Sequence, residues 1–361
     1  MSRGTTAIIN FDNLRHNFDV LSEMAPGKLV LVVKADAYGH GLQQIVKALD
    51  KAECFGVATI DEALLVRKVR KNVRILLLEG YLDENELKVA IENHFDCVIH
   101  QQQQIDLLQQ IDCKGKKLNI WLKFDSGMNR LGFSEKEFQE AIQLMESHEA
   151  VDELILMSHL ASANLRQSNF TEMQAEKFLK FHTNQQLSLS NSSALLHGNH
   201  LKDEWCRVGL ALFGVSPIET TMAEDYDLKS VMRLQTNVIA VKDIKSGESI
   251  GYSQTYIAEF DMKVAIIGIG YGDGYPWSLS KSAYVKINNQ KAPIVGRVSM
   301  DMMAIDISEM KDVKIGDSVL IWGDEDTASL PIEIVAENAN TIPYVLLCQI
   351  TSRVHYQYVN Q

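Results

Sequence analysis

The sequence predicts an α/β plus β protein, with an N-terminal (β/α)8 TIM-type barrel followed by a mainly β C-terminal domain. Three observations carry that reading. The first 215 residues alternate short apolar runs with stretches of helical apolar spacing, eight times over. The apolar runs lack in–out alternation, as strands of a parallel sheet covered on both faces do. From about residue 230 the pattern changes to short strands separated by turn residues, with no long helical stretch until 331–340.

In chain order the expected barrel strands are 28–34 (KLVLVVK), 54–58, 74–79 (RILLLE), 95–99, 118–124 (LNIWLKF), 153–159, 185–190 and 205–210. The helical stretches between them include 60–71, 83–92, 101–111, 134–148 and 169–182. Eight such units favour a closed barrel over an open doubly wound sheet. The run near 187 (LSLS) is polar and the least strand-like of the eight. The second part supplies MRLQTNVIAV, KVAIIGIG, AYVKIN, APIVGRV, MMAIDI and SVLIW, joined by turn signals such as Lys-Ser-Gly and Asn-Asn. The expected division is 1–230 for the barrel and 231–361 for the β domain, and 361 residues suffice for two domains.

Composition narrows the partners. Lys plus Arg number 35 against 47 Asp plus Glu, a formal charge of −12. That balance speaks against a nucleic-acid surface or an anionic-membrane anchor, both of which need clustered cations. The five cysteines are odd in number, widely spaced and without a CxxC pair, so neither a disulfide framework nor a metal site is expected. The start, MSRGTTAIINFDNL, lacks the apolar core of a signal peptide, and no apolar run approaches the roughly 18 residues that span a bilayer. A cytoplasmic protein is the expectation.

Catalytic groups of a parallel barrel sit at the C-terminal ends of its strands, and Lys34 closes the first. A lysine whose stem packs in apolar surroundings can attack a carbonyl as the free amine, although strand-end lysines more often snorkel into solvent. Barrels also bind phosphate with the loops after strands seven and eight. Ser192 and Gly209-Leu210 stand in those two loops; a plain helix cap by Asn191 and Ser192 and easy packing at Gly209 remain the alternative. The Gly-rich run GIGYGDGY (268–275) lacks GxGxxG spacing and is not followed by a phosphate-binding helix, which speaks against a nucleotide loop.

The segment VVKADAYGHG (32–41) resembles the cofactor-lysine signature of alanine racemases, which are fold-type III pyridoxal-phosphate (PLP) enzymes. Similar landmarks recur in order to Tyr344: KFDSGMNRLGF (123–133), SHLASAN (158–164), SNSS (190–193), RVGLALFG (207–214), GYSQTY (251–256), GYGDGYP (270–276) and GRVSMD (296–301). The resemblance implies PLP as cofactor, alanine as substrate, D-alanine supply for peptidoglycan as the role, and an isomerase acting as a homodimer. Each active site would combine one barrel with the partner's β domain.

By resemblance, Lys34 and Tyr252 are the two catalytic bases, one for each face of the substrate Cα. The implied cofactor set is Lys34, Tyr38, Arg130, His159, Asn191, Ser192, Arg207, Gly209, Leu210 and Tyr344. Arg207 would face the pyridine nitrogen, and His159 would bridge it to Tyr252. Arg130, Tyr271, Met300 and Asp301 would meet the substrate, and Lys123 matches a position often carbamylated in the family. Read without the resemblance, Arg207 and His159 are ordinary ion-pairing and hydrogen-bonding residues, Tyr252 a half-buried aromatic, and 123–130 a charged loop satisfied by Asp125. Asn164 stands where the family commonly has an acid and Trp277 where it commonly has an arginine. Those departures leave room for a related racemase with larger or polar substrates. A non-catalytic PLP-binding protein would resemble the barrel alone, and a PLP decarboxylase would carry a Gly-triplet phosphate loop that is missing from the sequence.

Overall fold

The computed structural model describes residues 3–198, 203–325 and 327–360. Its first strand, β1 (Thr6–Asn10), does not enter the barrel. The next eight strands do: β2 (Lys28–Val32), β3 (Cys54–Val57), β4 (Arg74–Leu77), β5 (Asp96–Ile99), β6 (Leu118–Lys123), β7 (Val151–Met157), β8 (Gln186–Ser188) and β9 (Trp205–Val208). They pair in parallel in the order β8-β7-β6-β5-β4-β3-β2-β9. All eight strands expected from the apolar runs are present, and helices such as Ile60–Val69, Glu84–Asn93 and Glu135–Glu146 lie between them. Thr59 and Ser134 start two of these helices with capping boxes, paired with Glu62 and Glu137.

The inward-facing positions Val30, Cys54, Leu76, Val98, Trp121, Ile155, Met157 and Trp205 fill the barrel as one buried cluster. Below it, Arg74 pairs with the buried Asp96 and with Glu153, while Trp121 Nε1 donates to Asp96 at 2.7 Å. The polar eighth strand has a physical reason. No regular ladder joins β8 to β9; instead Ser188 Oγ donates to the Trp205 carbonyl (2.7 Å) and Arg207 donates to the Ser188 carbonyl (2.9 Å). The Ser188 hydroxyl, the Arg207 guanidinium and the Arg207 amide, which donates to the Ser190 carbonyl (2.9 Å), bridge this seam.

The second part contains β10 (Met232–Ile244), β11 (Ser249–Ile250), β12 (Tyr256–Ile257), β13 (Met262–Ile267), β14 (Tyr284–Ile287), β15 (Gln290–Val295), β16 (Met303–Asp306), β17 (Ser318–Asp324), β18 (Ser329–Leu330) and β19 (His355–Val359). Apart from the β11–β12 hairpin, these form one sheet ordered β18-β17-β14-β15-β16-β13-β10-β1-β19. The long β10 pairs with β17 through Leu234–Asn237 and with β13 from Val238 onward, with register shifts that bend it around. β1 lies between β10 and β19, with Ile8 opposite Arg233 on one side and Gln357 on the other. Chain residues 6–10 thus belong to the second sheet, although the sequence places them before the barrel. Two helices, Ile332–Asn338 and Pro343–Cys348, lead into β19. Among the described residues, no helix is long and apolar enough to cross a membrane.

Candidate active site

Lys34 follows β2 after Val33 and opens a turn of unusual hand. Ala35, Asp36, Ala37 and Tyr38 have φ of 53°, 53°, 54° and 52°, a left-handed run of four non-glycine residues. Each such residue costs about 1–2 kcal/mol relative to right-handed backbone, so the surroundings must hold the turn in place. Glu62 Oε1 accepts from the Ala35 amide (2.8 Å), Asp36 Oδ1 accepts from the Leu42 amide (2.7 Å), and Tyr356 donates its hydroxyl to the Gly39 carbonyl (2.8 Å). The turn places Lys34 and Tyr38 in the wall of a cavity of about 620 Å3 at the C-terminal ends of the barrel strands.

The other barrel residues in that wall come from successive strand ends. Lys123 ends β6 and Arg130 follows on its loop; His159 follows β7; Asn191 and Ser192 follow β8; Arg207 lies in β9, with Gly209 and Leu210 just beyond. Tyr344 and Cys348 reach the same cavity from the helix Pro343–Cys348. The ten expected cofactor residues and Lys123 therefore meet at one place.

Arg207 is only 4% exposed and ties three strand ends together. Its Nη1 donates to the Ser188 carbonyl (2.9 Å) and hydroxyl (2.6 Å), and its Nη2 to the Ser158 carbonyl (2.6 Å) and His159 Nδ1 (3.2 Å). Nε–H has no acceptor among the described residues, and Arg207 lines the cavity. Burial pushes the guanidinium down to about 10, which leaves it protonated at neutral pH. Asp203, buried and accepting from the Leu189 and Ser190 amides, opposes that shift.

The site is cationic. Burial, then Arg207, Arg130 and Lys34, bring Lys123 down to about 8. Burial and the same cations, led by Arg207, hold His159 well below its ordinary value. Burial raises the phenols of Tyr38 and Tyr344, the latter to about 12, so both are protonated donors at neutral pH. Gly209 leaves room beside them: a Cβ there would come within 2.4 Å of the Tyr38 oxygen. A ligand with an anionic group toward Tyr38, Ser192 and Gly209, an acceptor atom toward Arg207 and an electrophile toward Lys34 suits this arrangement.

Four expected residues stand apart from this cavity within the single chain. Tyr252 (70% exposed), Met300 (51%), Tyr271 and Asp301 lie on the β part and are exposed or half-buried. The Tyr271 and Gly272 amides donate hydrogen bonds to the Ser299 (3.1 Å) and Met300 (2.8 Å) carbonyls. Asp301 pairs with Arg353 and Arg3. The fully buried Asp273 accepts from Arg3 (2.9 Å) and from the Gly270 amide (3.0 Å), anchoring the Gly-rich loop. Trp277, also exposed, carries the Arg297 guanidinium 5.2 Å from its ring centre. Sequence reading missed Cys348 and Glu79 in the cavity wall. Cys348 carries a signal in hindsight, one helical turn after Tyr344 on the same face.

Family models match the chain in two consecutive pieces, the alanine racemase N-terminal domain over residues 9–217 and the alanine racemase C-terminal domain over 231–358. The chain is 39% identical over 360 residues to an alanine racemase of Vibrio vulnificus, covering 99% of each. Among solved structures it is similar to a biosynthetic alanine racemase of Pseudomonas aeruginosa, with 36% identity, a TM-score of 0.93 and coverage of 99% and 100%. It is also similar to an alanine racemase of Bartonella henselae with covalently bound pyridoxal phosphate, with 30% identity, a TM-score of 0.88 and 99% of each chain covered.

Proposed function

The chain belongs to the alanine racemase family, and on that premise we propose that it binds PLP in the barrel cavity and interconverts L-alanine and D-alanine. The observation that carries the cofactor reading is the donor set around one cavity. Lys34 offers a primary amine for the aldehyde. Tyr38, Tyr344, Ser192 and the Gly209–Leu210 backbone surround the bare space that suits the phosphate. The Nε–H of Arg207, without an acceptor among the described residues, suits the ring nitrogen, and a protonated guanidinium donates there without giving up its proton.

Bound there, PLP supplies an electron-withdrawing ring that makes the substrate Cα proton removable. The remaining work falls to side chains. Arg130 binds the substrate carboxylate, with Lys123 beside it; a neutral amine is the form that takes up carbon dioxide, and the lowered value of Lys123 favours a carbamate at that position. Lys34 exchanges a proton with Cα on one face and Tyr252 of the partner subunit on the other. Two groups are required, because a single base returning its proton to the same face preserves configuration. One takes a proton as the other gives one, and the reverse reaction restores both.

The exposed Tyr252, Tyr271 and Met300 support a homodimer in which the β part of one subunit covers the barrel cavity of the other. The role that follows is D-alanine supply for peptidoglycan, in the cytoplasm. The test is purified full-length protein with PLP and a panel of L-amino acids, with D-products separated by chiral chromatography. D-alanine formed far ahead of D-serine and D-lysine is expected. Serine or lysine ahead of alanine would point to a broader racemase, and no D-product would overturn the reading.

A further inference from the structure

His40 is a buried polar side chain beside the cavity to which none of the roles above is given. It is 1% exposed, and its Nδ1 lies 3.0 Å from the Ala37 carbonyl and 2.9 Å from the Tyr38 carbonyl. Carbonyl oxygens only accept, so Nδ1 carries the proton and shares it between the two. Burial brings the imidazole down to about 4, so the ring is neutral at pH 7 and has this single N–H. Both acceptors belong to the left-handed run that follows Lys34.

The ring contributes separately. It stacks on Phe213, with centroids 4.4 Å apart and an interplanar angle of 27°. Phe213 ends the 3-10 turn Leu210–Phe213, which starts directly after Gly209, and it also packs against Tyr38 at 5.2 Å. His40 therefore touches both walls of the cavity: the turn that carries Lys34 and Tyr38, and the turn that carries Leu210.

We propose that His40 is a positioning residue for the cofactor pocket. Its Nδ1–H fixes the left-handed turn so that Lys34 and Tyr38 face the cavity, and its ring ties that turn to the Gly209–Leu210 loop. The inference rests on the PLP reading of the cavity and adds a residue that never touches the ligand. The two parts separate by substitution. Asn places an amide N–H near the position of Nδ1 without a ring; Phe keeps the stacking ring without a donor.

The experiment titrates PLP into the cofactor-stripped full-length chain and reads Kd from tryptophan fluorescence, with Tm as a control for folding. His40→Phe is expected to weaken PLP binding about tenfold at near-parental Tm, the loss that one buried hydrogen bond produces. His40→Asn is expected to stay within about threefold of the parent, rescued by its donor. Phe binding as well as Asn, or better, overturns the proposal. If His40→Phe does not fold, His40→Ala replaces it: Asn binding more tightly than Ala supports the proposal, and equal binding overturns it. A parent chain that binds no PLP overturns the cavity reading and this inference together, whereas a parent that binds while the variants are indistinguishable overturns this inference alone.

Discussion

Arg207 Nη2 donates to His159 Nδ1 across 3.2 Å, and this contact fixes the protonation of the imidazole. A guanidinium has no lone pair to offer, so Nδ1 must be bare and the neutral ring carries its proton on Nε2. Burial of His159, and then the cations around it, oppose a second proton. A histidine whose folded value lies below its unfolded value near 6.5 contributes stability above that pH and loses it as pH falls. His159→Leu should therefore cost about 1–3 kcal/mol at pH 7, as one guanidinium N–H loses its acceptor. The deficit relative to the parent should shrink toward pH 5. Urea unfolding of both proteins at several pH values measures it, and a deficit that grows on acidification contradicts the assignment.

Lys123 works in the same sense, in a more alkaline window. Its folded value of about 8 is below the ordinary 10.5, so the stability it contributes is full above pH 10.5 and lost as pH falls through 8. At pH 7 the buried ammonium is a burden of up to about 3 kcal/mol. Lys123→Met should raise the urea midpoint of the cofactor-free protein at pH 7 in buffer freed of carbon dioxide. The gain should fade above pH 10, and a variant less stable than the parent at pH 7 would contradict the electrostatic picture.

Gly209→Ala tests the phosphate cradle by sterics alone. The added Cβ would sit 2.4 Å from the Tyr38 oxygen, so the phenol must swing aside. PLP affinity should fall about tenfold or more while the circular dichroism spectrum is kept, since a displaced hydrogen bond to a charged group is worth roughly 1.5–3 kcal/mol. Unchanged affinity would remove Tyr38 and Gly209 from the cofactor set.

Tyr252→Phe should slow racemisation by roughly 100-fold to 10,000-fold, the usual worth of a general acid–base group. The equilibrium constant is one by symmetry, so kcat/KM must fall equally in both directions. The asymmetry appears instead in deuterium oxide. One enantiomer should still exchange its Cα hydrogen through Lys34 without inverting, and the other should not. Exchange of both at similar rates would contradict separate bases on the two faces.

The barrel was legible because its strands are local signals: LVLVV, ILLL and their like need no partner to be recognised. β1 and β19 were not, because five-residue segments at the two ends of the chain become strands only on pairing with each other and with β10. The cavity residues were legible through motifs, yet what holds them was not. The turn at 35–39 is held by Glu62 and Tyr356, whose contacts cross elements. Asp301 likewise looked like a substrate group from GRVSMD, while its pairing with Arg353 and Arg3 depends on the folded chain. Tyr252 and Met300 are exposed on the single chain, and no local pattern in the sequence says what covers them.

Subunit mixing tests most directly the claim that each site is built from two chains. Lys34→Ala and Tyr252→Phe proteins, each nearly inactive alone, are combined in equal amounts and allowed to exchange subunits. Half of the dimers then carry one intact site, so racemase activity should return to about a quarter of the parent value. No recovery after demonstrated exchange would mean that Lys34 and Tyr252 act from the same chain or not together at all.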